Sequence, residues 1–168
     1  MRVYLPATTA VLADLATSGE IGPAPLTAFA VTPDLRAWYV DEDVEELEYA
    51  ASGQAVRASL RMVDADPTVA RRRVVVAADV ADTDIEVRDD LERGAVRIAD
   101  VVPLRAVAAV HIDDAEAEAT IARAAAVVLE ADLGSASAQE VVDDAEGFEL
   151  SWYAPEELAA LLAEIGSA

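Results

Sequence analysis

The amino-acid sequence predicts an α/β fold: a mixed sheet of about five to seven strands with βαβ crossovers and helices on one or both faces. Three observations predict it. A strand-like alternation passes directly into a helix-period stripe near both the start and the end of the chain. A continuous apolar run, Val74 to Ala78, reads as a strand buried on both faces and therefore central. Two short alternating stretches, Ile85 with Val87 and Val96 with Ile98, are separated by Asp89 to Gly94 and read as an exposed antiparallel hairpin at one edge. An α+β sandwich is the alternative arrangement. Residues 1–168 are read as one domain, a length that buries roughly 70% of its unfolded surface without disulfides or metal staples.

Val3 and Leu5 alternate with Arg2 and Tyr4 as in a half-buried strand. Pro6 then introduces a helix carrying Val11, Leu12, Leu15 and Ala16 on one face and stopped at Gly19. The loop Glu20 to Pro25 leads into a strand from Leu26 to Val31. Thr32 before Pro33 has the form of an N-cap and first helical residue, so Asp34 to Val40 is expected as a short helix. Asp43 with Glu46 forms a capping box, behind which Val44, Leu47, Ala51, Ala55, Ala58 and Met62 recur at three and four residues. That pattern makes Val44 to Val63 the longest helix, with Gly53 weakening its middle by about 1 kcal/mol relative to Ala.

Val107 to Ile112 is a second buried strand, and Asp113 with Glu116 reads as a second capping box. The helix it opens has Ile121, Ala125 and Val128 inward and ends at Gly134. Ser137 with Glu140 starts a short helix through Ala145. Phe148, Leu150 and Trp152 alternate as a strand, and Pro155 opens a last helix with Leu158, Leu161, Leu162 and Ile165 inward. Two internal echoes, residues 25–30 with 103–108 and Tyr4-Leu5-Pro6 with Tyr153-Ala154-Pro155, admit a pseudo-duplication, although an alanine-rich chain produces such matches easily.

Composition excludes more than it identifies. All twelve basic residues are arginines, set against 33 carboxylates, for a formal charge of −21. Lysine, asparagine and cysteine are absent, as expected where A/T-rich codons are avoided; a high-GC bacterial or a halophilic source follows. Phosphate backbones repel such a polyanion, so nucleic acid is not an expected partner. Only Arg71, Arg72 and Arg73 cluster, and pairing with the protein's own carboxylates is the expectation for them. The absence of cysteine removes disulfides, thiolate nucleophiles and zinc knuckles. The absence of lysine removes the P-loop and Schiff-base chemistry, no glycines have dinucleotide-fingerprint spacing, and no Gly-x-Ser-x-Gly elbow occurs. One histidine forbids two-histidine zinc sites within one chain. No stretch approaches the ~18 uninterrupted apolar residues of a membrane span, and the broken N-terminal run is not a secretion signal, so a soluble cytoplasmic protein without a membrane partner is expected.

The segments Met1-Arg2-Val3-Tyr4-Leu5-Pro6, Glu45 to Ala51, Val74 to Asp79, Val110 to Glu116 and Trp152-Tyr153-Ala154 resemble a family of small acidic actinobacterial proteins, a domain of unknown function. The resemblance spans nearly the whole chain and implies no activity.

Two constellations are candidate sites. His111-Ile112-Asp113-Asp114 falls where a buried strand turns into a helix, and in open α/β sheets ligands gather at the carboxyl ends of strands. If the strand ending at Asp79 ran parallel and adjacent, Asp79, Asp82 or Asp84 would complete an acid–base or metal site around His111, Asp113 and Asp114, with Mg²⁺ or Mn²⁺ preferred by its oxygens. Helix capping and dipole complementation account for the same residues without a ligand. The second comprises Glu42, Glu45, Glu46, Glu48 and Tyr49, most simply a solvated face, beside Trp38-Tyr39; these aromatics and Trp152-Tyr153 are candidates to line a common pocket. Neither constellation has spacing that chemistry demands and packing does not. The expected protein is therefore an acidic accessory or interaction module without catalysis or cofactor, complementary to a basic protein partner, with no feature indicating a homo-oligomer. A metal-dependent enzyme or small-ligand binder centred on His111 is the alternative.

Overall fold

The computed structural model describes residues 1–39 and 43–166. Nine strands and six helices alternate among them: β1 Arg2–Ala7, α1 Thr9–Ser18, β2 Glu20–Ile21, β3 Leu26–Phe29, α2 Pro33–Trp38, α3 Val44–Ala65, β4 Val74–Asp79, β5 Ile85–Val87, β6 Ala95–Ile98, β7 Val102–Pro103, β8 Val107–Ile112, α4 Glu118–Asp132, α5 Ala136–Ala145, β9 Ser151–Tyr153 and α6 Leu158–Gly166. Seven strands form one sheet in the order β5-β6-β3-β1-β4-β8-β9, and β2 pairs with β7 in a small second sheet.

The α/β class, the strand number and the central position of β4 are as the sequence predicts, but every neighbouring pair is antiparallel. The expected βαβ crossovers are altered in two ways. β3 and β4, linked through α2 and α3, run in the same direction, yet β1 lies between them and opposes both. After β8, α4 and α5 pack side by side as a helical hairpin and return the chain to the end it left, so β9 adds antiparallel, with Ile112 opposite Ser151. The echoed strands β3 and β8 flank the central β1–β4 pair symmetrically. The echoed residues differ locally, however: Leu26 is in a strand, whereas Leu104 is in a 3₁₀ turn.

Helices cover both faces. Alternation in the strands sends Val3, Leu5, Val74, Val76, Val110 and Ile112 to one side, where Leu12 and Leu15 of α1 and Leu158 and Leu161 of α6 meet them. Tyr4, Phe29, Val75, Ala77 and Ala109 point the other way, under α3. α3 approaches closely because the residues it turns to the sheet are small, Ala51, Ala55 and Ser59 at four-residue intervals. The buried Ser59 hydroxyl donates to the Ala7 carbonyl at 2.7 Å and accepts the Val74 N–H at 2.8 Å, joining the ends of β1 and β4 to the helix. The C-terminal half of α3 packs through Leu60 and Val63 on Ile121, Ala125 and Val128 of α4 and Val142 of α5.

Several helix ends differ in detail from the sequence reading. Pro6 lies inside β1, opposite Val75, and Thr8 caps α1. Gly19 ends α1 at φ +79°, the left-handed conformation that glycine adopts without a Cβ penalty. Thr32 caps α2 and Asp43 caps α3, as expected. Ser135, not Ser137, caps α5. The Asp113 capping box does not form: a 3₁₀ turn over Ala115–Ala117 precedes α4, because the Asp113 side chain is engaged elsewhere. A 3₁₀ turn over Pro155–Glu157 likewise precedes α6. The three consecutive arginines serve the fold: Arg72 pairs with Glu118, Arg73 with Asp113, and Arg71 donates to the Val63 and Asp66 carbonyls at the end of α3 and to the Val69 carbonyl in the turn that follows. No helix among the described residues is long and apolar enough to cross a membrane.

Candidate functional site

α3 lies over β1, β3 and β4 and leaves the end of β8 uncovered. The result is a cleft of about 630 Å³ on the α3 face of the sheet. One wall is the side of α3 that carries Tyr49, Ser52, Gly53, Val56, Arg57 and Leu60, a second stripe offset from the one against the sheet. The other wall is the end of α5 with Val142, Ala145 and Glu146, followed by Phe148, Glu149 and Leu150. His111 and Arg73 complete the lining.

At the base of the cleft lies a buried ion pair. Asp113 is 0% exposed and Arg73 4%. Arg73 donates from Nε to Asp113 Oδ2 and from Nη2 to Oδ1, each at 2.8 Å, while its backbone N–H also reaches Oδ2 at 2.8 Å. The same Nη2 donates to the Phe148 carbonyl at 3.0 Å, so the pair holds the Phe148 wall against the end of β4. Arg57 is committed as well: it donates to Asp132 Oδ1 at 3.0 Å and to Gln139 Oε1 at 3.0 Å. Arg61 joins it on Asp132 through Nε at 2.8 Å, and this bond chiefly holds the Asp132 carboxyl below its ordinary pKa. The carboxylates of Glu146 and Glu149 are exposed and have no partner among the described residues.

His111 is half-buried, with Val75 and Trp152 as its cross-strand neighbours on the cleft face. Its imidazole makes no hydrogen bond among the described residues. Burial pushes its pKa below the ordinary value, and Arg2 adds a smaller push in the same direction.

The residues of the alternative acid–base or metal site around His111 are not brought together among the described residues. β4 does neighbour β8, but antiparallel, with Val75 opposite His111; Asp79 is four residues further along, about 13 Å away at strand spacing. There it pairs with Arg2 at 2.8 Å. Asp113 is enclosed by Arg73, and Asp114 accepts the Ser151 hydroxyl at 2.8 Å. Among the described residues no three His, Asp or Glu side chains converge as a metal-binding group. The two aromatic pairs do not share a pocket either. Trp38 stacks under the Arg93 guanidinium at 3.8 Å beyond β3, whereas Trp152 and Tyr153 lie on β9, four strands away or about 19 Å across the sheet. Trp152 faces the cleft side and is 60% exposed, while Tyr153 packs on the opposite core. Of the acidic constellation, Glu42 lies outside the described residues, as does Asp41; Glu45 and Glu46 are exposed on the first turn of α3. Glu48 is half-buried and, after burial itself, is the main cause of the raised Tyr4 pKa.

The profile of a family of unknown function, DUF6912, matches residues 1–162. The chain belongs to this family. No curated protein and no solved structure matches it. Every residue lining the cleft falls within the stretch matched to DUF6912, as do all strands of both sheets. Sequence reasoning singled out His111 for the strand end it occupies and passed over Val56, Arg57, Glu146 and Glu149. A signal for one wall was present: Tyr49, Ser52, Val56 and Leu60 recur at helical spacing beside the stripe already assigned to the core, so α3 carries a second, less buried stripe.

Proposed function

We propose that this DUF6912 protein is a non-catalytic binding module for a positively charged polypeptide. One observation carries the reading: its arginines are largely engaged with its own carboxylates and helix ends, and because each ion pair cancels one charge of either sign, the full −21 remains for a partner. A field of that size acts first on encounter, raising association rates with basic surfaces and rejecting acidic ones. The absence of catalysis is supported by the chemistry of the cleft. Among the described residues His111 has no carboxylate or hydroxyl bonded to it that would orient it as a base, and the nearest carboxylate in sequence, Asp113, neutralises Arg73.

The test is affinity capture from a lysate of the source organism, with an unrelated protein of equal negative charge as control. Captures at about 0.05 M and about 0.3 M NaCl bracket a fall in Debye length from about 14 Å to under 6 Å. A basic protein retained by this chain and not by the control, in a complex that survives purification at one-to-one stoichiometry, is the expected result. Retention of the same set by both proteins, or of nothing basic, overturns the reading.

A further inference from the structure

We propose that the cleft between α3 and the α5–β9 segment binds an amphipathic organic cation, an ammonium or guanidinium group carried on an apolar stem. The proposal rests on the reading of the protein as a binder of cationic partners, and it assigns that binding to one place. Four features of the cleft converge on this chemistry.

Its own cations are neutralised. Arg57 is held by Asp132 and Gln139, and Arg73 by Asp113 and the Phe148 carbonyl, so each of these charges already has a carboxylate beside it. Its anions are not neutralised: Glu146 and Glu149 stand on one wall without ion-pair or hydrogen-bond partners among the described residues. An anionic ligand would meet those two carboxylates with no cation in compensation, whereas a cation would supply the missing charge.

Two aromatic rings, Tyr49 and Phe148, line the cleft, and a third, Trp152, stands beside it as the cross-strand neighbour of His111. Tyr49 is 77% exposed on the α3 wall, Phe148 lies opposite, and the 60% exposed Trp152 neighbours His111 on the cleft face of the sheet. Ring faces carry partial negative charge and attract ammonium and guanidinium groups, most strongly where water is partly excluded. The cleft is also apolar along its length, through Val56, Leu60, Val142, Ala145 and Leu150. That surface suits methylene groups or a ring, and the roughly 630 Å³ available exceeds what an inorganic ion needs.

The only histidine in the chain lines the cleft, so a single imidazole Hε1 resonance in the proton NMR spectrum reports occupancy there without assignment. Three probes are titrated at about 0.15 M NaCl, where exposed charges beyond about 8 Å are screened: phenethylammonium chloride, the capped tripeptide Leu-Arg-Leu, and sodium phenylacetate as the charge-reversed control. We expect a saturable shift of the His111 signal with a cationic probe and none with phenylacetate. The E146Q/E149Q variant should weaken the cation on the order of tenfold, since both positions are exposed and each contact is modest. A response to the amine alone identifies a free small molecule as the natural source, and a response to the peptide alone identifies a basic side chain of a partner; either supports the proposal. It is overturned if neither cation shifts the signal, if phenylacetate does so equally, or if E146Q/E149Q, shown folded by circular dichroism, binds as the wild type does. Should a basic protein be captured equally well by wild type and E146Q/E149Q, the binding-module reading stands and this site does not.

Discussion

Replacing Asp113 by asparagine tests the buried centre of the cleft most directly. The carboxylate accepts three hydrogen bonds at 2.8 Å, from Arg73 N, Nε and Nη2, and is fully removed from solvent. Asparagine keeps the shape and one acceptor, which can still take the residue 73 N–H, but it turns an NH₂ group toward the guanidinium and removes the compensating charge. Arg73 is then left buried with its Nε on the amide oxygen and its Nη2 on the Phe148 carbonyl, but with no carboxylate beside its charge. Leaving one member of a buried pair uncompensated costs about 3–5 kcal/mol, a large share of the roughly 5–15 kcal/mol that holds a domain together. With a urea m-value of about 2 kcal/mol/M, the unfolding midpoint should fall by about 2 M. The assay is urea unfolding followed by far-ultraviolet circular dichroism at pH 7 and fixed salt. The R73M/D113N double variant separates charge from packing. It removes the stranded cation, and its remaining defect is an underused amide, a loss of about 1–3 kcal/mol. It should therefore be more stable than D113N. A single-variant loss below about 1 kcal/mol, or a double variant no more stable than D113N, would refute the argument that an unpaired guanidinium dominates the cost.

Two further outcomes follow from the charges. Surface carboxylates repel one another more in the compact state than in the expanded chain, so raising NaCl from about 0.05 M to about 1 M, where the Debye length is about 3 Å, should raise the melting temperature until screening saturates; a flat or falling curve would mean that the arginine pairs already offset the repulsion. Because burial lowers the folded-state pKa of His111 below its unfolded value, the unfolded chain binds the extra proton first, and this contribution to stability is lost as pH falls through the ordinary histidine range. The stability difference between wild type and H111Q should accordingly shift against the wild type between about pH 7.5 and about pH 5.5, while other charges act on both alike; a constant difference, or an imidazole titration at the ordinary histidine pKa by NMR, would contradict the burial of this ring.

Local chemistry was enough to place most elements. The 3.6-residue stripe of α3, the β-branched run of β4, the alternating hairpin β5–β6 and the caps at Thr32 and Asp43 depend on residues close in sequence, and each formed, although β6 is buried between β5 and β3 where an exposed hairpin was expected. So did the charge that dominates the molecule's surface behaviour. Strand direction did not follow from the same evidence. Whether β8 lies parallel or antiparallel to β4 is decided by the path of residues 80–106 through β5, β6 and β7, and that path depends on pairing between residues far apart, such as β6 with β3 and β7 with β2. That single reversal moved Asp79 away from His111 and brought Arg73 onto Asp113. Asp113 shows why such a choice is invisible locally: three residues before Glu116 it has the form of a helix cap, but a buried guanidinium offers a carboxylate more than a single backbone N–H does, so the long-range partner takes it. The cleft is tertiary for the same reason. Its walls come from residues 49–60 and 142–150, its floor from 73 and 111, and it exists because α3 lies over β1, β3 and β4 and leaves the His111 end of β8 open.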